Sequence, residues 1–271
     1  MWRQCHFIST AGFALAAIFI AGCSSNLSNV FQGYIEGEYV YVASPLGGAL
    51  TNLAVARGDE VNTGQLLFEL ERSSEAAAWN EAEKNLAQAE ANLVLSQAEY
   101  ARRIQLREDQ GVISAEELDQ TRAQRDADQA RVGSQKAAVA KALWSFDQKE
   151  QFAPTNAFVQ DTLYRVGEWV AAGNPIVELL PPANIKVRFF VPETVLPRIK
   201  PGQIVSVTFD GGRHAYSATV NYISTQAEFT PPVIYSRENR AKLVYMIEAK
   251  FSSSDAADLR PGQPVDVRVT P

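Results

Sequence analysis

Two different spacings of apolar residues divide this chain. Between Ser73 and Glu150, Trp79, Ala82, Leu86, Ala89, Leu93, Ser96, Tyr100 and Arg103 follow one another at alternating steps of three and four. That is the 3.5-residue seam of a coiled coil. The stretch holds no proline and two glycines, and it is rich in Ala, Glu, Gln, Leu, Arg and Lys, which are strong helix formers. Ser73 or Ser74 ahead of Glu75 predicts the N-cap of a first arm. The pattern breaks at Asp109-Gln110-Gly111-Val112-Ile113 and restarts at Ser114, where Glu117 three residues on makes a capping box. On the second arm Leu118, Arg125, Val132, Val139 and Phe146 recur at sevens. Its alternate core places, Arg122, Gln129 and Lys136, are polar, so this seam is the weaker one. Arms over 73–108 and 114–149, each about 54 Å long at the helical rise, predict an antiparallel hairpin over 73–149. Charge over most of their circumference marks them as solvated rather than buried.

The flanking segments change to the short periods of β-structure, and they repeat. Residues 44–70 and 153–179 match at a constant offset of 109: Pro45 with Pro154, Gly58 with Gly167, Val61 with Val170, Gly64 with Gly173 and Leu70 with Leu179. Glycines at these places permit positive-φ turns between short strands such as Leu66–Leu70 and Ile176–Leu180. Two such half-motifs resemble the pseudo-symmetric sandwich of a biotinyl/lipoyl domain. The swinging-arm lysine of such a domain is missing, because the first half ends Glu69-Leu70-Glu71-Arg72 and the hairpin leaves from there. The two halves are therefore expected over 39–72 and 150–182. Beyond them, residues 183–271 read as a small β-barrel, with strands at Ile185–Val191, Ile204–Phe209, Tyr216–Ile223, Leu243–Phe251 and Val265–Val269. Thr194 to Ile199 is expected to form a short irregular helix. The fold class expected is α+β, elongated and multidomain: a coiled-coil α-hairpin inserted into a split lipoyl-like β-sandwich, followed by a barrel.

The start of the chain is an address. Arg3 precedes the ten apolar residues Ala11–Ile20, and no Asp, Glu, Lys or Arg stands between Cys5 and Ile35. Ten residues are too few to span a hydrocarbon core, which takes about 20, but they suit a secretory signal. The run ends Ile20-Ala21-Gly22-Cys23, which resembles a bacterial lipobox. Residues 1–22 are then a signal peptide, Cys23 is the lipidated residue, and 23–38 form a lipidated tether. Loss of Cys5 with the signal would leave no free thiol, which suits an oxidising periplasm. Ser24 after the lipidated cysteine favours the outer membrane by resemblance to enteric lipoproteins, whereas the function inferred below favours the inner one.

Composition narrows the chemistry. A net charge of −6 opposes nucleic-acid binding. His6 and His214 are the only histidines and Met1 and Met246 the only methionines, so no metal site and no cofactor are expected. No G-x-S-x-G, P-loop or dinucleotide fingerprint occurs, and an enzyme is not expected.

The lipobox, split sandwich, hairpin and barrel together resemble the periplasmic adaptor (membrane fusion) proteins of the hemolysin-D type, over residues 20–271. That resemblance implies a subunit linking an inner-membrane exporter to a TolC-like outer-membrane channel, working as a ring, commonly of six copies. It also implies a hairpin tip that meets the channel. The family's tip often carries Arg, Leu four residues later and Ser seven beyond, within a Gly-(Val/Ala)-Ile-Ser run. Here Gly111-Val112-Ile113-Ser114 matches and Arg103 lies eleven before Ser114, but Arg107 holds the leucine place. Arg102 and Leu106 keep the first spacing and miss the second by one. The candidate tip is thus Arg102, Arg103, Leu106, Arg107, Gly111, Val112, Ile113 and Ser114. The pattern Ala227–Val233 with Arg240–Tyr245 is similar to adaptors of ABC-type exporters, with major-facilitator or RND pumps as alternatives. A structural envelope lipoprotein and a lipoyl-scaffold acyl carrier are the competing readings.

Overall fold

The computed structural model of the chain describes residues 29–209, 214–229 and 243–269. The signal peptide, Cys23 and most of the segment 227–245 therefore lie outside the described residues or at their border. The chain enters through β1 (Val30–Gly37) and then lays down β2 (Val40–Ala43), β3 (Gly48–Leu53), β4 (Glu60–Val61) and β5 (Leu66–Leu70). Helices α1 (Ser73–Gln110) and α2 (Ala115–Asp147) follow. The chain then returns through β6 (Glu150–Phe152), β7 (Ala157–Thr162), β8 (Trp169–Val170) and β9 (Pro175–Leu180).

The repeat of 109 residues is a physical exchange of strands. Adding 109 carries β3 onto β7, β4 onto β8 and β5 onto the start of β9. One sheet has the order β2-β9-β7-β4 and the other β6-β5-β3-β8, so each draws strands from both halves. The hydrogen bonds obey the same exchange. Gly58 N–H donates to Val159 O and Gly167 N–H to Leu50 O, at 2.9 and 2.8 Å. Gly58 and Gly167 have φ of 94° and 96°, a region in which a side chain is strained, and this is why the motif needs glycine there. One core is shared between the halves: Leu50, Leu67, Phe68 and Leu70 pack in the same cluster as Val159, Ile176, Val177 and Leu179. Neither half can bury its apolar face without the other.

The remaining strands are β10 (Ile185–Pro192), β11 (Ile204–Thr208), β12 (Tyr216–Phe229), β13 (Leu243–Phe251) and β14 (Pro264–Val269). With β1 they close in the order β1-β10-β13-β12-β11-β14, antiparallel throughout. Alternate residues, among them Ile35, Val187, Phe189, Val207, Ile247 and Val267, fill the interior. This corrects the expected tether over 23–38, because Val30–Gly37 is a barrel strand paired on both sides. Phe31 and Ile35 point into the core, and between them Gly33 lets β1 approach Phe189, whose Cβ would lie 2.8 Å from a Cβ at that place. Two further differences are small. The strand at Tyr216 runs on to Phe229, and the expected helix at 194–199 is a 3₁₀ turn over Leu196–Arg198.

Two chain crossings join barrel to sandwich, and they are tied to each other. Glu38 N–H donates to Asn184 O at 3.1 Å, and Asn184 Nδ2 returns a bond to Glu38 O at 2.9 Å. Beside them Lys186 Nζ meets Glu248 Oε2 at 2.8 Å and a carboxylate oxygen of Glu38 at 2.5 Å.

Candidate functional site

The hairpin is a rod on a buttressed root. Helix α1 has 38 residues and α2 has 33, so the longer spans about 57 Å at the helical rise. On α1 the predicted seam is the shielded face: Ala89 and Ser96 are buried and Trp79, Ala82, Leu86, Leu93, Tyr100 and Arg103 half-buried. On α2 the sevens hold, but the alternate places differ from expectation. Arg122, Gln129 and Lys136 are exposed, and Thr121, Asp128, Gln135 and Ala142 take the seam instead. The step from each seven is therefore three rather than four. Arg125 keeps a seam place by stacking its guanidinium 4.5 Å over the Tyr100 ring. Near the root Trp79 packs on Phe146 at 5.5 Å.

The root replaces the tight hairpin of a lipoyl domain. Lys149, 4% exposed, donates to Gly47 O at 2.7 Å and pairs with Glu75 at 3.0 Å. Ser44 Oγ donates to Gln148 O at 2.7 Å. Arg72 pairs with Glu150 at 2.6 Å and lies 4.5 Å over Phe146. Arg72, whose side chain makes no capping hydrogen bond, occupies the N-cap of α1 that Ser73 or Ser74 was expected to fill. Ser73 bonds instead to the Glu71 carboxylate.

The tip is built from caps. Helix α1 stops because Gly111 turns left-handed at φ 65°, and its N–H closes on Arg107 O at 3.1 Å. Helix α2 starts because Ser114 Oγ accepts from Glu117 N–H at 3.1 Å while Glu117 Oε2 accepts from Ser114 N–H at 3.2 Å, the expected capping box. The other oxygen of Glu117 reaches Arg103 on the facing arm at 3.7 Å. Arg103 Nε also donates to Glu99 at 2.9 Å, and Arg102 pairs with the second oxygen of Glu99 at 3.1 Å. The hydrogen bond from Arg103, helped by both guanidinium charges, holds the Glu99 carboxyl below the usual carboxylate range.

Of the candidate residues, Arg103 is thus turned inward along the seam, whereas Arg102 and Arg107 are exposed. Val112 is 66% exposed at the apex. Ile113, expected to be exposed beside it, is half-buried, as is Leu106. Glu99 and Glu117 were missed as tip residues, although Glu99 stands four before Arg103 and Glu117 is the capping-box acid. Among the described residues no group of three or more His, Cys, Asp or Glu could hold a metal ion. No described helix is long and apolar enough to cross a membrane.

The Ser114 cap gives a first prediction. Ser114→Ala should cost about 0.5–2 kcal/mol of local helix stability, read as faster amide exchange at 115–118, and Ser114→Asp should restore protection. Equal exchange in all three proteins would show that the cap does not hold the tip.

Residues 78–149 match the family model described as RND MFP, alpha-helical hairpin domain. This chain has the fold and the hairpin domain of a membrane fusion protein. The described chain is similar to the membrane fusion protein Spr0693 from Streptococcus pneumoniae R6, at a TM-score of 0.67 and 20% identity, covering 89% of this chain and 98% of that one. It is similar to MacA from Actinobacillus actinomycetemcomitans at a TM-score of 0.70 and 19% identity, over 89% and 78% of the two chains. Among curated relatives, the UPF0194 membrane protein Ent638_1286 of Enterobacter sp. (strain 638) is 27% identical over 87% of each chain. The protein YdhJ of Escherichia coli K12 is 30% identical over 65% of this chain, and that match spans 61% of YdhJ. The α+β fold expected from the sequence, with a helical hairpin set into β-structure, stands.

Proposed function

We propose that this membrane fusion protein is the periplasmic adaptor of an export system, joining an inner-membrane transporter of ABC type to a TolC-like outer-membrane channel. The observation that carries the reading is the tip. A paired-helix rod rooted by Lys149, Ser44 and Arg72 ends in a loop stiffened by two caps, and Val112 stands exposed at its apex. A rigid rod that presents an apolar apex is suited to dock on a distant partner. Cys23 would carry a diacylglyceryl group that holds the chain at a membrane. Barrel and sandwich would then sit side by side in a ring of copies, six in our reading, around the path of the exported compound. An ABC-type partner is favoured by the segment 227–245; major-facilitator and RND transporters are the alternatives.

Val112→Asp, and separately the pair Leu106→Asp with Ile113→Asp, are expected to reduce export at least tenfold. Helix content by circular dichroism should stay within a few per cent for Val112→Asp, the more exposed site. Undiminished export from both would overturn the tip assignment. Cross-linking in cells from a cysteine at Val112 and another at Ile204, which is 62% exposed on the barrel, identifies the two partners. Capture of the same inner-membrane protein at both places would refute the bridging role. Intact mass of the purified chain should show a diacylglyceryl adduct at the N-terminus and none on a lysine.

A further inference from the structure

The barrel carries the same turn at both of its ends. Lys200-Pro201-Gly202-Gln203 leads into β11, and Arg260-Pro261-Gly262-Gln263 leads into β14. Gly202 and Gly262 have φ of 86° and 87°. In each turn the glutamine side chain accepts from the residue three before it, Gln203 from Lys200 N–H at 3.1 Å and Gln263 from Arg260 N–H at 3.0 Å. In each the glycine N–H closes on a barrel strand, Gly202 on Val220 O and Gly262 on Ile35 O, both at 2.8 Å. The surroundings differ. At the Arg260 end the sandwich covers the turn: the Arg260 guanidinium lies 5.7 Å over the Phe158 ring, and Pro261 packs at Gly37, where the chain leaves for β2. At the Lys200 end no element of the sandwich is present, because β1 and β10 join it through Gly37 and Ile185 at the opposite end. Where Pro264 follows the covered turn, Ile204 follows the bare one, and it is 62% exposed.

The rest of the bare end agrees with Ile204. Outward positions along β11 run Ile204, Ser206 and Thr208, and along β1 they run Val30, Gln32 and Tyr34, so aliphatic residues stand at the rim and polar ones follow. Threonine would serve an exposed strand end as well as isoleucine. The segment 193–203 closes the barrel mouth by packing Val195, Leu196 and Ile199 on the core, and it leaves Pro197, Arg198 and Lys200 exposed. Arg268 is exposed beside Val30, its partner in register. Among the described residues Arg198, Lys200 and Arg268 make no ion pair, whereas Lys186 and Arg188 at the covered end are paired. The acids near the bare end are Glu193 and Glu228. Exposed aliphatics ringed by unpaired cations suit the boundary between anionic headgroups and acyl chains.

Chain length points to the same occupant. Val269 N–H donates to Asn29 O at 2.9 Å, which fixes the chain at the bare end just before β1. Asn29 stands six residues after Cys23, a reach of about 22 Å at full extension. We infer that the bare end of the barrel lies directly on the phospholipid surface, with Ile204 and Val30 at the acyl boundary and Arg198, Lys200 and Arg268 on anionic headgroups. The inference rests on the reading of Cys23 as the lipidated residue and adds a second, electrostatic contact made by the folded barrel itself.

The first arm of the test uses the full lipidated chain, in which Cys23 is blocked by its lipid, with Ile204→Cys or Val112→Cys carrying an environment-sensitive fluorophore. Each is reconstituted on vesicles of phosphatidylethanolamine and phosphatidylglycerol that contain a nitroxide-labelled lipid. The label at residue 204 should be quenched and blue-shifted, and the label at residue 112 should match its lipid-free spectrum. The second arm uses the mature chain from Ser24 onward, which keeps every described residue and lacks the anchor. It should sediment with these vesicles roughly tenfold better than with phosphatidylcholine vesicles, and salt should remove the difference. The triple variant Arg198→Glu, Lys200→Glu and Arg268→Glu should abolish it, and so in part should Lys200→Glu alone, with unchanged circular dichroism. A label at residue 204 no more quenched than one at residue 112 overturns the inference, as does binding that is equal on both vesicles or indifferent to the charge reversals. Intact mass separates the two readings. An unquenched residue 204 in a chain that carries the diacylglyceryl adduct sinks the barrel contact and leaves the anchor; a missing adduct sinks the anchor, and the second arm still decides the contact.

Discussion

Phe68→Ala should cost about 3–5 kcal/mol and should melt both halves of the sandwich in one transition. Phe68 is fully buried on β5, whose neighbours are β3 from its own half and β6 from the other. The cavity left by the ring would open onto Val177 and its neighbours in a core that both halves line. The loss is a large part of the roughly 5–15 kcal/mol that stabilises a domain. The two glycine amides that bond across the halves report it directly: Gly58 to Val159 and Gly167 to Leu50. Both should lose protection from hydrogen exchange together, by on the order of a hundredfold or more, the factor that 3 kcal/mol implies. If the Gly58 amide were to open while Gly167 kept its parent rate, the halves would be separate folding units and the strand exchange would not govern stability. The hairpin, rooted on Lys149 between the two halves, should also lose its fixed direction in this variant.

What could be read in advance follows from where side-chain pattern and burial coincide. The α1 seam was legible because apolar residues and shielding fall on the same places from Trp79 to Tyr100. The sandwich was legible because glycines recur at turns that only glycine fills easily, at Gly58, Gly64, Gly167 and Gly173. Strand β1 was not, because Gly33 interrupts its apolar alternation and its uncharged start runs on from the signal sequence. A tertiary requirement, the close approach to Phe189, placed that glycine. The alternate seam of α2 was missed for the opposite reason: Asp128 and Gln135 are polar residues half-buried by packing geometry, which no hydrophobic pattern reports. At the tip, Ser114 and Gly111 were legible as caps. The inward turn of Arg103 depends on Glu99 and Glu117 together, and one of these sits on the other arm, beyond the reach of local spacing.

The ion cluster outside the barrel supports the second large prediction, Lys186→Ala, which should cost about 3–5 kcal/mol at neutral pH. Lys186 is 6% exposed and faces Glu36, Glu38 and Glu248, with Arg188 as the neighbouring cation on Glu36 and Glu248. Its removal leaves three carboxylates around one guanidinium, with Glu248 only 9% exposed. Burial alone would push the Glu248 carboxyl up, but hydrogen bonds from Lys186 and Arg188 outweigh it and hold the group below its ordinary value. Burial would likewise push Lys186 down, and the bonds to Glu248 and Glu38 outweigh that and raise it. For a carboxyl so lowered, the stabilisation is complete above the ordinary value of 4.5 and fades as pH falls through the lower folded-state value. For the raised lysine it is complete below the ordinary 10.5 and fades as pH climbs through the higher folded-state value. The difference in urea midpoint between parent and Lys186→Ala should therefore be widest at neutral pH and narrow as acid protonates Glu248. Adding Glu248→Leu to Lys186→Ala should recover part of the loss, because the buried charge left without its partner is then gone. A gap that stays constant from pH 7 to pH 3, with no recovery in the double variant, would mean that Lys186 acts through the packing of its stem and not through its charge.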